Sequence, residues 1–294
     1  MRRALAFALL GSACTEIDPR FYLGNACQDP DDDVVFCTDF EEGDLETWDD
    51  FDQNPDDMND VVPDEGPFGL DGNHVVRMRV APAEQGTDLV KQLPGFYDAL
   101  YARWWVKLEP GYDLDISSAL WPGLHAGGHD TLGNSDNLPS GDDRFTVLTS
   151  HDIATHGLTT KLDYRGMYQD CPNPSGMCYR DELPCVRDDG ESFCVAPQHR
   201  PSQPLTAIEK SRWYCVELFV DAGTPVADAA SADGRVALWL DDELLFEFDD
   251  LWFRTSDTLK MDVFWMSEYT SGGHGDEGVL YDDVLVSRSR IGCE

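Results

Sequence analysis

Arg103, Trp105 and Lys107 are set two apart in the stretch LYARWWVKLEP, and Tyr101 and Glu109 share their parity. Cations interleaved with aromatic rings on one strand face are the pairing that grips sugars or anions. The stretch WPGLHAGGH follows after a proline turn at Pro110-Gly111, and its Pro-Gly and Gly-Gly steps make it a loop carrying Trp121, His125 and His129. Arg103, Trp105, Lys107 and Trp121 are therefore the candidate ligand-binding residues, and His125 adds a group that titrates near neutrality.

A second constellation is made of oxygens. Asp39 and Glu41 end the first apolar stretch, Gly72-Asn73 forms a turn, and Asp282 lies in VLYDDVLVS on the parity of Leu280, Val284 and Val286. An aspartate on a core-facing parity is costly unless it is paired or holds a cation. Asp39, Glu41, Asn73 and Asp282 would suit Ca2+, which takes oxygen ligands, and the ion would brace rather than react. The alternative is an edge carboxylate bonded to a backbone amide.

Positioning these groups falls to strands. Leu100, Ala102, Trp104, Val106 and Leu108 alternate with the cationic face, the period of a half-buried strand. Similar runs predict strands at 34–40, 75–80, 89–93, 145–150, 158–168, 213–220, 235–240, 244–248, 259–266 and 279–287. Thr159, Lys161, Asp163 and Arg165 share one face of the 158–168 run, and Asp241-Asp242 reads as a hairpin turn. About ten short strands with no amphipathic helix or repeat argue an all-β, two-sheet sandwich or jelly roll. No internal linker interrupts 34–294, so this stretch is taken as one domain, with 15–33 as a polar tether ahead of it.

The charge balance restricts partners. With 21 Lys+Arg against 57 Asp+Glu, the formal net charge is −36. Such a surface repels nucleic acid and anionic lipid and attracts cations, and it is also what a salt-adapted or very soluble protein carries.

At the N-terminus, Met1-Arg2-Arg3, the apolar run Ala4 to Leu10 and the small residues before Cys14 read as a secretory signal. Small residues running into Cys14 resemble a bacterial lipobox, although Gly11 stands where such motifs place leucine. The expected location is the cell envelope through lipid on Cys14, with plain secretion as the other reading.

Eight cysteines remain beyond Cys14, an even set that suits disulfides in an exported chain. Proximity suggests Cys27–Cys37, Cys171–Cys178, Cys185–Cys194 and Cys215–Cys293, with 170–204 as a disulfide-rich insertion. No Cys-x2-4-Cys pair exists, which argues against zinc.

Several stretches, in order, resemble a concanavalin A-like jelly roll of the polysaccharide lyase type, similar to alginate and glucuronan lyases. They are Asp39-Phe40-Glu41, LYARWWVKLEPGYD, WPGL, KLDYR, WYCVE, DGRVALWLDDELLFE, FWMSEYTSGG and LYDDVLVSRSRIG. The resemblance implies β-elimination of an acidic polysaccharide. A cation then neutralises the uronate carboxylate, a base takes the C5 proton, and an acid protonates the leaving oxygen. Lys161 and Arg165 would neutralise, and Tyr168 or His125 would act as base or acid. Leu120 stands where the family usually has a lysine.

The partner expected is a polysaccharide, with no nucleic acid, a membrane reached only through Cys14, and a monomeric state. The alternative function is a non-catalytic carbohydrate-binding lipoprotein on the same fold. A third reading is a structural or adhesive surface protein with no glycan specificity. The lyase geometry requires Arg103, Trp105, Lys161 and Arg165 to line the hollow side of one curved sheet.

Overall fold

A computed structural model describes residues 27, 30–51, 58–80, 86–115, 121–133, 139–152, 155–168, 181–184, 199, 203–269 and 278–293. The leader with Cys14, Leu120, His274 and the cysteines at 171, 178, 185 and 194 lie outside the described residues, as does most of the 170–204 insertion.

The chain is all-β, in two antiparallel sheets. The first sheet contains β13 (Glu243–Leu251), β12 (Gly234–Leu240), β11 (Trp213–Asp221), β6 (Ala99–Leu108), β15 (Val279–Ser287), β4 (His74–Met78) and β3 (Asn59–Pro63) in that spatial order. In it β1 (Val34–Thr38) also pairs with β15. The second sheet runs β10 (Asp181–Leu183), β9 (Leu158–Asp163), β8 (Phe145–His151), β7 (Gly123–Ala126), β14 (Met261–Tyr269), β5 (Gly86–Tyr97) and β2 (Asp50–Phe51). Many neighbours within a sheet are distant in sequence, because connections cross between layers. This is the jelly-roll arrangement of two stacked sheets.

Period-two alternation builds the core. Leu100, Ala102, Trp104, Val106 and Leu108 of β6 face inward, where they join Leu124, Val147, Leu162, Phe264 and Met266 of the second sheet in one buried cluster. Tyr101, Arg103, Trp105 and Lys107 face the other way. The β12–β13 hairpin turns at Asp241 and Asp242, both in left-handed backbone (φ 50° and 66°), as a tight two-residue turn requires.

Four strands, β2, β3, β7 and β10, were not foreseen. WPGLHAGG reads as a loop, yet Gly123–Ala126 pairs with both β8 and β14. Gly123 permits this, since a Cβ there would overlap the Val147 carbonyl oxygen of β8. The predicted 158–168 strand instead ends at Asp163, and a 3-10 turn takes over at Arg165–Tyr168.

One carboxylate enters the core itself. Glu268 is fully buried and accepts hydrogen bonds from the Tyr112 hydroxyl (2.9 Å) and the Tyr281 hydroxyl (3.5 Å). Burial, with Glu268 beside them, pushes both phenols well above their ordinary pKa. Trp121 Nε1–H donates to Tyr112 Oη (3.3 Å), so Trp121 belongs to this network.

Candidate functional site

The residues singled out by their chemistry divide between two sheets. Arg103, Trp105 and Lys107 stand on the outer face of the first sheet, while Lys161 stands on the second. A common groove for Arg103, Trp105, Lys161 and Arg165 is thereby excluded. Arg165 has left the strand ladder, and its guanidinium lies over the Trp252 ring beyond β13 (5.1 Å). Tyr168 ends the same turn, and its side chain lies outside the described residues. Trp121 is also displaced from its expected role. Both Trp121 N–H and the Pro122 carbonyl pair with Thr149, a local bulge. Trp121 is sent into the core, where it stacks on His151 (5.2 Å) and offers no face to a sugar.

The outer face of the second sheet carries two aligned rows. One reads Glu182, Lys161, Leu148, Gly123, Trp265, Val90, Asp50 across β10, β9, β8, β7, β14, β5 and β2. The next reads Asp163, Thr146, His125, Val263. Val90, Leu148, Val263 and Trp265 form an apolar cluster apart from the core, with Leu132 and Tyr269 packed against it.

The catalytic candidates on this face are engaged with protein partners. Lys161 Nζ lies 2.9 Å from Glu182, both side chains are nearly buried, and Thr159 Oγ1–H donates to the same carboxylate (3.2 Å). His125 is fully buried, with Nδ1 2.8 Å from Thr146 Oγ1 and Nε2 2.8 Å from Thr131 Oγ1. Thr131 Oγ1 also lies 3.1 Å from the Gly127 and Gly128 carbonyl oxygens. Both ring nitrogens of His125 are occupied by threonine hydroxyls. The ring thus pins the Gly127-Gly128 turn, which Asp262 also holds by accepting from both glycine N–H groups (3.2 Å each).

At the β2–β5–β14 side a hollow of about 170 Å³ remains open, lined by Asp50, Asp88, Val90, His129, Leu132, Gly133 and Trp265. Trp265 Nε1–H donates to Asp88 Oδ1 (2.6 Å), and His129 Nε2 meets Asp50 Oδ2 at 3.0 Å. Sequence reasoning missed Asp50, Asp88 and Trp265 as a group. They come from three strands, and nothing local distinguishes these aspartates among the other acids.

The outer face of the first sheet is packed under loops. Trp105 meets Phe68 edge-to-face (5.2 Å), and Lys107 pairs with Asp64 (2.8 Å) and lies over Trp213 (4.7 Å). Arg103 is 7 % exposed, and its Nε has no hydrogen-bond partner. Burial pulls its pKa down, and Asp283, Glu217, Asp282 and Asp242 oppose that shift.

Asp282 also faces this outer side, not the core. The β6–β15 register slips between Asp282 and Leu285, with Asp283 in left-handed backbone (φ 45°), and this bulge resets the parity that the sequence suggested. Asp282 accepts from Asn73 Nδ2–H (3.0 Å), and Gly66 packs so closely that a Cβ would reach 2.9 Å from its Oδ2. Burial first, then the Asp283 carboxylate, push Asp282 up to about 8; burial raises Asp283 to about 6 against the pull of Arg103. Asp39 and Glu41 add negative charge nearby, and β1 and β15 are neighbours, as expected. Glu41 itself accepts from the His74 N–H (2.9 Å). Among the described residues no three His, Cys, Asp or Glu side chains could hold a metal ion by themselves.

Comparison with known proteins places the fold. Neither a protein-family model nor a curated protein sequence matches the chain. Solved structures do. An alginate lyase from a Chlorella virus aligns with a TM-score of 0.60 at 13% identity, over 87% of this chain and 100% of that one. The marine alginate lyase of Aplysia kurodai aligns at 0.58 with 10% identity, over 86% and 98%. The endo-β-1,4-glucuronan lyase of Trichoderma reesei aligns at 0.54 with 16% identity, over 87% and 96%. The chain therefore has the jelly-roll fold seen in polysaccharide lyases; likeness at this identity defines the fold and not the activity.

Proposed function

We propose that the chain binds a polysaccharide across the outer face of its second sheet, without cleaving it. The observation that carries this reading is the hollow floored by Trp265 and flanked by Asp50 and Asp88, on a sheet seven strands wide. Trp265 is only 6 % exposed, so it shapes the floor and holds Asp88 by its edge, while the carboxylates of Asp50 and Asp88 supply the hydroxyl acceptors a sugar needs. The resemblance to alginate and glucuronan lyases supports a glycan as the ligand class. β-Elimination is less well supported. A neutralising cation must meet the uronate carboxylate, and Lys161 is already paired with Glu182. A base must touch the C5 proton, and His125 is closed off on both ring nitrogens.

The test uses calorimetry with polyuronate, amino-sugar and neutral glycans, alongside absorbance of any unsaturated uronate product. The reading expects glycan binding with no new absorbance. Absorbance growing on alginate or glucuronan restores β-elimination, and absence of binding to every glycan class removes the polysaccharide reading.

The same proposal keeps the exported location, with Cys14 as lipid attachment site, and a monomeric state. It also keeps Ca2+ as a structural brace at Asp282. Two adjoining buried carboxylates with Asp39 and Glu41 nearby face a single guanidinium, Arg103, and this surplus of negative oxygen suits a hard cation. Backbone carbonyls and water would complete the shell, and Asn73 would turn its amide oxygen inward. With millimolar Ca2+ well above its dissociation constant, chelation lowers the melting temperature by about 5 °C or more. Asp282→Asn has an effect of opposite sign in the two conditions: it melts above the parent in chelator, where it removes a buried carboxyl, and below it in Ca2+. A melt indifferent to Ca2+ in both proteins eliminates the brace.

A further inference from the structure

We infer that the free edge of β13 pairs with an extended polypeptide segment in which basic residues alternate with apolar ones. The inference is independent of the polysaccharide reading, since β13 borders the first sheet and the glycan face belongs to the second. Every second residue of a border strand turns its N–H and C=O away from the sheet, and native chains keep such borders short or interrupted. Among the described residues β2 and β10 hold 2 and 3 residues, and β3 holds 5 and ends on Pro63. β13 holds 9, and among the described residues only β12 pairs with it. Addition of a strand to an open border gives affinity through main-chain hydrogen bonds and specificity through the alternate side chains.

The side chains along this edge choose the partner, because an added strand sends its own side chains alternately to the two faces of the sheet. On the core-facing side a hollow of about 200 Å³ opens between β13 and the segment at 206–209, whose Ala207 bridges to Gly157 just ahead of β9. Tyr214 and Leu240 form its nearly buried floor, and Leu245 is a part-exposed wall. Glu209 and Glu243 are exposed at its rim, and their carboxylates have no hydrogen bond or ion pair to a described residue. Arg212 does not offset them, being committed to Asp241 (2.8 Å) and to the Tyr214 ring (4.4 Å). A lysine or arginine entering the hollow lays its alkyl stem along Leu245 and meets both open carboxylates. On the outer face Leu244 is 47 % exposed opposite Trp239, an apolar shelf for the alternate residue. Farther along, Arg235 pairs with Glu247 and His199 lies 2.5 Å from Asp250, which leaves Asp249 open. A second copy of this chain laid antiparallel on the edge sets Glu243, Glu247, Asp249 and Asp250 against the same acids, so self-pairing is repelled and a basic strand attracted.

The experiment combines calorimetry with residue-resolved amide exchange on the full chain, in moderate salt near pH 7. The probes are a short end-blocked peptide alternating Lys with Val, its counterpart alternating Glu with Val, and the Lys–Val peptide N-methylated along its backbone. The expected result is binding of the Lys–Val peptide at least tenfold tighter than either other probe. In that complex the N–H groups of 243–251 that face the free side exchange at least tenfold more slowly. Glu209→Gln/Glu243→Gln, at two exposed positions, loses at least fivefold of the affinity. Glu42→Gln/Glu46→Gln removes equal charge from exposed positions between β1 and β2 and keeps parent affinity. Equal binding of the N-methylated peptide, or an equal loss in the control, reduces the contact to diffuse charge and overturns the inference. Slow exchange of the same N–H groups in the free chain shows the edge already covered and overturns it too, as does association of the chain with itself through 243–251. Absence of peptide binding overturns it and leaves the polysaccharide reading intact.

Discussion

Lys161→Ala lowers the stability of the folded chain by about 3 kcal/mol, because it strands a buried carboxylate. Glu182 is 4 % exposed and has Lys161 at 2.9 Å, with Thr159 as a further hydrogen-bond donor. Removing the ammonium leaves that charge without its counter-ion in a poorly solvated place. Its carboxyl must then take up a proton or draw in water. The paired replacement Lys161→Met/Glu182→Leu fills similar volume without charge and should fall within about 1 kcal/mol of the parent. Denaturant titration of the two single variants and the pair gives the coupling energy directly. A Lys161→Ala protein as stable as the parent, but impaired toward a uronate ligand, would return Lys161 to the substrate-facing role that its residue type suggests.

Opening the Cys215–Cys293 disulfide is expected to cost about 2–4 kcal/mol. The bond spans 78 residues and ties β11 to the C-terminal segment that crosses the outer face of the first sheet. Chain entropy for a loop of that length comes to about 4.5 kcal/mol, and such estimates exceed most measured values. A specific electrostatic loss adds to it. Glu217 of β11 is fully buried and accepts from the Ile291 N–H (2.7 Å) and from Arg290 Nε–H (3.2 Å), both in that segment. If the segment lifts, Glu217 keeps Arg103 as a nearby cation and loses these donors. Cys215→Ala/Cys293→Ala should therefore unfold at lower denaturant, and adding Glu217→Gln should recover part of the loss. An unchanged midpoint would mean that the segment holds its place without the covalent tie. Cys27–Cys37, the other bond among the described residues, joins positions only 10 apart and has less entropy to contribute.

Much of the fold is written locally. The alternation in β6, β11, β12 and β15 reports which side chains face the core, and the Asp241-Asp242 turn announces its hairpin. Both depend on neighbours within a few residues. The two cysteine bonds among the described residues also follow the expected pairing. The short strands escaped for equally local reasons. β2 and β10 hold 2 and 3 residues, too few for a period to show. The Pro-Gly and Gly-Gly steps around β7 mimic a loop until β8 and β14 close on either side.

The sequence by itself determined an acidic, all-β chain, the inward and outward faces of its long strands, and the crowding of cations with aromatics on β6. Tertiary structure alone decided which sheet each face belongs to. Lys161 and Arg103 share an alternating pattern but not a sheet, because pairing joins strands far apart in sequence. Asp282 changed sides through one bulge, and Trp121 entered the core through another, each by a single-residue slip that inverts everything beyond it. Asp50, Asp88 and Trp265 became neighbours only when β2, β5 and β14 aligned. Their proximity arises from strand register, and no local pattern in the chain encodes it.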